Sequence, residues 1–300
     1  MLSLDDFEPL TLQHRDIFKE IFAKHPPKHS ENVFTTLMSW QHYVKVSILV
    51  VEQTILMSSN IEGEHRLRCP LGRPDADLIK ETVRLAQREG ATAIAAIEEG
   101  TMARFTDVFP NLVLTPNRDF FDYVYLSSDL AELPGKSYLK IRNRLNRFHR
   151  KYEYTVEPVS RENFGETMTF IRKWCLWKDC ASNEMLENER LAVMYSMDNF
   201  FDLGLRGTVI RMDSEIEALS VYEPLNPNTA IIHFEKAMPD YDGIYQAINN
   251  EVALVLAPEY KFINRESDLG IDGLREAKKR YHPHHMEQVY YVDRENLLKV

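Results

Sequence analysis

Two stretches of this chain concentrate the residue types that do chemistry. The first, residues 134–152, carries Lys136, Lys140, Arg142, Arg144, Arg147, Arg150 and Lys151, with no Asp or Glu among them. Ile141, Leu145, Phe148 and Tyr152 recur at the spacing of one helix face, so the cations take the other faces. Asn143 and Asn146 add side chains that both donate and accept. Such a helix is a focused positive surface, and its natural partner bears phosphate: a tRNA acceptor end, a nucleotide or an anionic lipid headgroup. Arg142, Asn143, Arg144 and Arg147 are the expected contacts, with Arg142 set apart by its angular position and a candidate to pair with Glu235 or Asp268. The competing reading is a solvated face whose partners lie outside the helix, since the helix offers no acid for internal pairing.

The second stretch runs from residue 231 to residue 285. Strict strand alternation puts His233 and Glu235 on one face, near enough to share a proton, and Ile232, Phe234 and Lys236 on the other. A buried histidine beside an edge carboxylate is the plainer alternative. Asp240 or Asp242 is placed to cap the helix that follows, and Gly243 admits a close approach at its first turn. That helix buries Ile244, Ile248, Val252 and Val255 and keeps Tyr245, Gln246, Asn249 and Asn250 as polar companions. A short strand then delivers Asn264, Arg265 and Glu266 to a loop. Arg265 and Arg275 suit a carboxylate or phosphate, while Glu266 or Asp268 would fix them or accept a proton. The late run His282-Pro-His284-His285 lacks a third ligand type, so no metal is expected.

These groups need a scaffold, and the composition allows a large one. The chain has 300 residues, 44% hydrophobic and 27% charged, with a net charge of −10. That size fits one large domain or two modest ones, and the acidic balance excludes a general DNA-coating protein. The three cysteines, Cys69, Cys175 and Cys180, form no disulfide framework and no CxxC pair. With no apolar run of bilayer length and no secretory signal at the start, a soluble, cytoplasmic chain is expected, limited to peripheral membrane contact. The periodicity predicts strands over 45–51, 53–58, 120–126, 154–158, 205–212, 217–222, 229–234, 262–264 and 289–292. It predicts helices over 75–89, 102–109, 135–152, 163–177, 184–199, 244–256 and 271–279, and leaves 91–97 open between strand and helix. Helix, helix, hairpin, strand, helix, strand, helix, strand is the order of an N-acetyltransferase-like domain, and it fits the first third loosely as well. The expected architecture is α/β (α+β): two such domains, residues 1–125 and 126–300, each a mixed sheet flanked by helices.

At the level of local text the chain resembles the phosphatidylglycerol lysyltransferase C-terminal domain family. The runs that carry the resemblance are 121–125 (FDYVY), 129–136 (DLAELPGK), 142–148 (RNRLNRF), 233–237 (HFEKA), 243–251 (GIYQAINNE), 264–275 (NRESDLGIDGLR) and 281–283 (YHP). The resemblance implies two fused N-acetyltransferase-like domains and acyl transfer from an activated ester, with aminoacyl-tRNA as donor and acyl-CoA as the lesser choice. No further cofactor and no metal is required. For that chemistry the residues read above supply the expected catalytic groups, Glu235, His233 and Glu266. Substrate contacts would come from Arg142, Asn143, Arg144, Arg147, Lys236, Tyr245, Asn249, Asn264, Arg265, Asp268 and Arg275. Neither half carries a Q/RxxGxG/A pyrophosphate loop, which counts against acetyl-CoA. The alternatives are a CoA-dependent N-acyltransferase and a non-catalytic RNA- or nucleotide-binding module.

Overall fold

The computed structural model describes residues 2–300. The chain divides into two compact units. The first comprises the residues up to Asp122 together with Glu287–Val300; the second is Tyr123–Met286. The expected division at residue 125 lies close to the first crossing, but the expectation that everything beyond it belongs to one domain is corrected. The strand Val289–Asp293 pairs on one side with Ala93–Glu98 and on the other with Thr115–Pro116, both early in the chain.

The first unit is built on a mixed sheet. Its order is Glu8–Pro9, Ser47–Val51, Thr54–Ile61, Glu64–Arg68, Ala93–Glu98, Val289–Asp293 and Thr115–Pro116, with Leu71–Gly72 against Thr54–Ile61. The strands Thr54–Ile61 and Glu64–Arg68 turn through Glu62 and Gly63, both with positive φ, as a tight hairpin requires. Residues 93–98, left open by periodicity, are a strand, parallel to Glu64–Arg68. The crossover between them is the helix Ala76–Arg88, whose first turn is capped by Asp75 accepting from the Leu78 amide at 2.8 Å. It buries Ile79, Val83, Leu85 and Ala86. Cys69 and Cys180 are buried and all three cysteines are free.

The second unit carries a seven-stranded mixed sheet. Its order is His285–Glu287, Asp122–Leu126, Phe262–Asn264, Thr229–Ala237, Glu215–Asn226, Arg206–Met212 and Thr155–Pro158. Thr229–Ala237 and Phe262–Asn264 are parallel, joined by the helix Ile244–Leu256. On that helix's side of the sheet the core gathers Tyr123, Tyr125, Tyr222, Ile232, Ile248 and Val252 with Leu145 and Phe148 of the basic helix, Leu139–Lys151. The helices Phe164–Lys178 and Glu184–Asp198 complete the unit. Gly243 is the N-cap of Ile244–Leu256, with φ +99 and no side-chain cap. A Cβ there would lie 3.0 Å from Phe148 Cβ and 3.2 Å from the Arg144 carbonyl, so the bare backbone lets the two helices meet. The capping role expected of Asp240 or Asp242 is therefore not used.

Candidate active site

The strand Thr229–Ala237 does not alternate strictly. Ile232 faces Tyr222, Phe234 faces Val221 and Glu235 faces Ser220, which leaves His233 as the extra residue of a β-bulge. Tyr222 and Ser220 share a face of their strand, so Ile232 and Glu235 share one too, and His233 turns the other way. The expected His233–Glu235 relay is thereby corrected. Each finds different partners.

His233 is held between two carboxylates: Nε2 lies 2.9 Å from Glu223 Oε1 and Nδ1 lies 3.0 Å from Glu266 Oε1. Burial disfavours its charge, but the two acids more than offset that and raise its pKa to about 10. The ring is an imidazolium at neutral pH and both nitrogens donate. It cannot also act as a general base. Sequence reasoning missed Glu223. Its only signal was an acid standing between the run Ala218–Tyr222, apolar but for Ser220, and Pro224.

Glu235, whose side chain is 9% exposed, pairs instead with Arg265, Nη2 to Oε2 at 2.5 Å. Burial works against the Arg265 charge, and Glu235 together with the nearby tyrosines raises the guanidinium pKa nonetheless. The guanidinium lies 5.1 Å from the ring centre of Tyr281 and 5.8 Å from that of Tyr125. The Asn249 carboxamide completes the grip. With its oxygen toward Arg265 it accepts from Nη1 at 3.0 Å and Nη2 at 3.2 Å, the orientation adopted because the reverse would set an NH₂ against a guanidinium. Glu235, Asn249 and Arg265 are thus brought together from strand, helix and loop.

The loop itself is firmly tied. Asn264 is buried and its Oδ1 accepts the Glu266 amide at 2.7 Å. Glu266 takes φ +57, and its carbonyl accepts from the Tyr123 amide at 3.2 Å and Lys278 Nζ at 3.1 Å. Asp268 is wholly buried and accepts from the Tyr123 hydroxyl at 2.6 Å and from Arg275 Nε and Nη2 at 2.9 and 3.0 Å. The expectation that an acid of this loop fixes Arg275 holds, with Asp268 in that role, while Glu266 serves His233.

The remaining expected contacts lie apart from this cluster. Lys236 is buried on the opposite face, its Nζ 2.5 Å from Glu189 Oε1 and 4.3 Å from the Trp174 ring centre. Arg142 does not reach Glu235 or Asp268. It donates to the carbonyls of Leu133 (2.5 Å) and Gly135 (3.0 Å), closing the end of the helix Ser127–Glu132. Arg144 grips Asp242 Oδ1 with Nε and Nη2 at 3.0 and 2.7 Å, Arg147 stands 3.6 Å from the other oxygen, and these cations hold the Asp242 carboxyl below its usual range. Asn143 and Tyr245 are exposed. Lys136, Lys140, Arg150 and Lys151 are exposed and form no ion pair among the described residues. Arg144 also acts electrostatically on Tyr281, whose ring centre lies 5.1 Å from the Arg265 guanidinium. Among the described residues no three His, Cys, Asp or Glu side chains converge as a metal centre requires. His284 and His285 set their Nδ1 atoms 2.9 Å apart. No helix of the described residues is long and apolar enough to cross a membrane.

The model of the family described as "Phosphatidylglycerol lysyltransferase, C-terminal" matches residues 22–293. A conserved protein of unknown function from Bacteroides thetaiotaomicron is 30% identical, with 96% of this chain and 98% of that one covered and a TM-score of 0.88. L-PGS from Bacillus licheniformis shares the fold at 18% identity, with 96% and 93% covered and a TM-score of 0.65. FemX does so at 10% identity, with 98% of each chain covered and a TM-score of 0.58. None of the curated proteins is detectably similar in sequence.

Proposed function

Because the chain belongs to the phosphatidylglycerol lysyltransferase C-terminal family, we propose that it is a transferase with N-acetyltransferase-like units that moves an aminoacyl group from aminoacyl-tRNA to an acceptor amine or hydroxyl. The family match over residues 22–293 carries this reading, and the neighbourhood of the Glu235–Arg265 pair supports it. An aminoacyl ester is already activated, so the protein needs no covalent nucleophile. It has to align the attacking group, take its proton and steady the negative oxygen that forms. Glu235 keeps Oε1 outside its ion pair and is the proton acceptor in this scheme. Arg265 supplies positive charge and Asn249 fixes its guanidinium, while the His233 imidazolium, on the other face, holds Glu266 beside Arg265. The exposed cations of the basic helix receive the tRNA phosphates, with Lys140, Arg147 and Lys151 on one stripe.

The test supplies the purified chain with tRNA charged with radiolabelled amino acids and a panel of small amines, alcohols and lipid dispersions, and follows label leaving the tRNA. Acceptor-dependent transfer that falls at least a hundredfold in Glu235→Gln is the expected result. A parallel salt titration of tRNA binding compares the wild type with Lys140→Gln/Lys151→Gln. The slope of log affinity on log salt should shrink by roughly 0.7–1 per lost phosphate contact. Absence of transfer with every charged tRNA, together with equal slopes, would remove the proposal.

A further inference from the structure

We propose that Glu223 is a positioning residue of this site: by holding His233 as an imidazolium it keeps the loop bearing Arg265 and Glu266 in the shape that lets Arg265 grip Glu235. The positioning stands on geometry alone; its bearing on acyl transfer rests on the reading given above. A neutral imidazole has one N–H, and it would turn a lone pair toward one of the two carboxylates it touches. Only the protonated ring satisfies Glu223 at 2.9 Å and Glu266 at 3.0 Å together.

The two acids differ in what holds them. Glu223 sits in the strand Glu215–Asn226, opposite Ile231 of Thr229–Ala237 and one residue beyond Tyr222, which pairs with Arg206 on the other side. Glu266 lies outside the strands, at φ +57, a conformation that side chains other than glycine rarely take. Its neighbour Arg265 reaches Glu235 on the other face of the bulged strand. Glu223 is therefore the anchor, His233 the link and the 265–266 segment the part that is held. Those two acids are also the charged groups that act on the ring, one from the adjacent strand and one from the loop. Without the carboxylate at 223 the ring keeps a single acid, loses its reason to stay doubly protonated and loses its charged anchor in the sheet, which weakens one of the ties that hold the loop.

The experiment uses the full chain, labelled with ¹⁵N in histidine and arginine, as wild type, Glu223→Gln and Glu223→Asp. Glutamine retains shape and one acceptor oxygen but not charge; aspartate retains charge at shorter reach. In the wild type both His233 nitrogens stay protonated through pH 8. In Glu223→Gln the ring titrates at least one pH unit lower than in the wild type, and the Arg265 Nε–H exchanges with solvent at least tenfold faster. Glu223→Asp lies between the two on both readouts, and it decides alone should the glutamine chain not fold. A wild-type His233 that is neutral at pH 7, or ring titration and Arg265 exchange unchanged by the substitution, overturns the proposal. Loss of the two signals in a chain that transfers no aminoacyl group with any donor would leave Glu223 as the anchor and sink the transferase reading instead.

Discussion

Charge in the second unit is balanced residue by residue, and each balance makes a prediction. His233 titrates at about 10 in the fold and near 6.5 when unfolded. Its contribution to stability is therefore complete below about pH 6.5 and is lost as the pH rises toward 10. Over that window the stability advantage of the wild type over His233→Gln should shrink by up to about 1.4 kcal/mol per pH unit. Urea unfolding of both proteins at several pH values measures it, and a constant difference would contradict the imidazolium. Asp268 makes a second case. Wholly buried, it serves Tyr123 and both donating nitrogens of Arg275. Asp268→Asn removes the carboxylate charge that both faces this guanidinium and accepts from Tyr123, and should cost about 3 kcal/mol in the same assay, the lower end of what a broken buried pair costs, since Arg275 keeps some contact with water.

At the scale of elements, the meeting of the basic helix with the helix Ile244–Leu256 depends on one missing methyl group. Gly243→Ala places a Cβ 3.0 Å from Phe148 Cβ on a backbone with φ +99. It should destabilise the protein by roughly 1–3 kcal/mol through strain and overpacking, read as a fall in the urea midpoint at unchanged slope. What could be read in the residues divides along the same line. Both helices were legible because their apolar stripes repeat locally, and Arg265, Asp268 and Arg275 were legible because a loop and the first turn of the helix after it hold them within eleven residues of one another. The bulge at His233 was not, because it exists only in the register with Glu215–Asn226, a partner strand that nothing in the local text specifies. The error about His233 and Glu235 follows from that one extra residue: in a strand a single insertion reverses every face beyond it. Glu223 was hidden for the same reason, being near His233 across the ladder and not along the chain. The pairing of Arg144 and Arg147 with Asp242 likewise needed the packing of two helices.

At the scale of the whole molecule, the first unit is discontinuous and the second is not. Removing residues 289–300 takes away the strand beside Ala93–Glu98 and the buried side chains of Val289, Val292 and Leu297. Hydrogen exchange of that truncated chain should show the amides of Ala93–Glu98 losing protection by orders of magnitude, while those of Thr229–Ala237 keep theirs. Equal retention in both strands would mean that the first unit is complete without its returning segment. The same feature sets an order of events on the ribosome. Domains generally mature in the order in which they are made. Here the residues made first must wait, with Ala93–Glu98 an open edge, until the whole second unit has been translated and the strand that seals them emerges. The unit second in the sequence is the first able to fold, and the newborn chain carries an unfinished sheet for most of its synthesis.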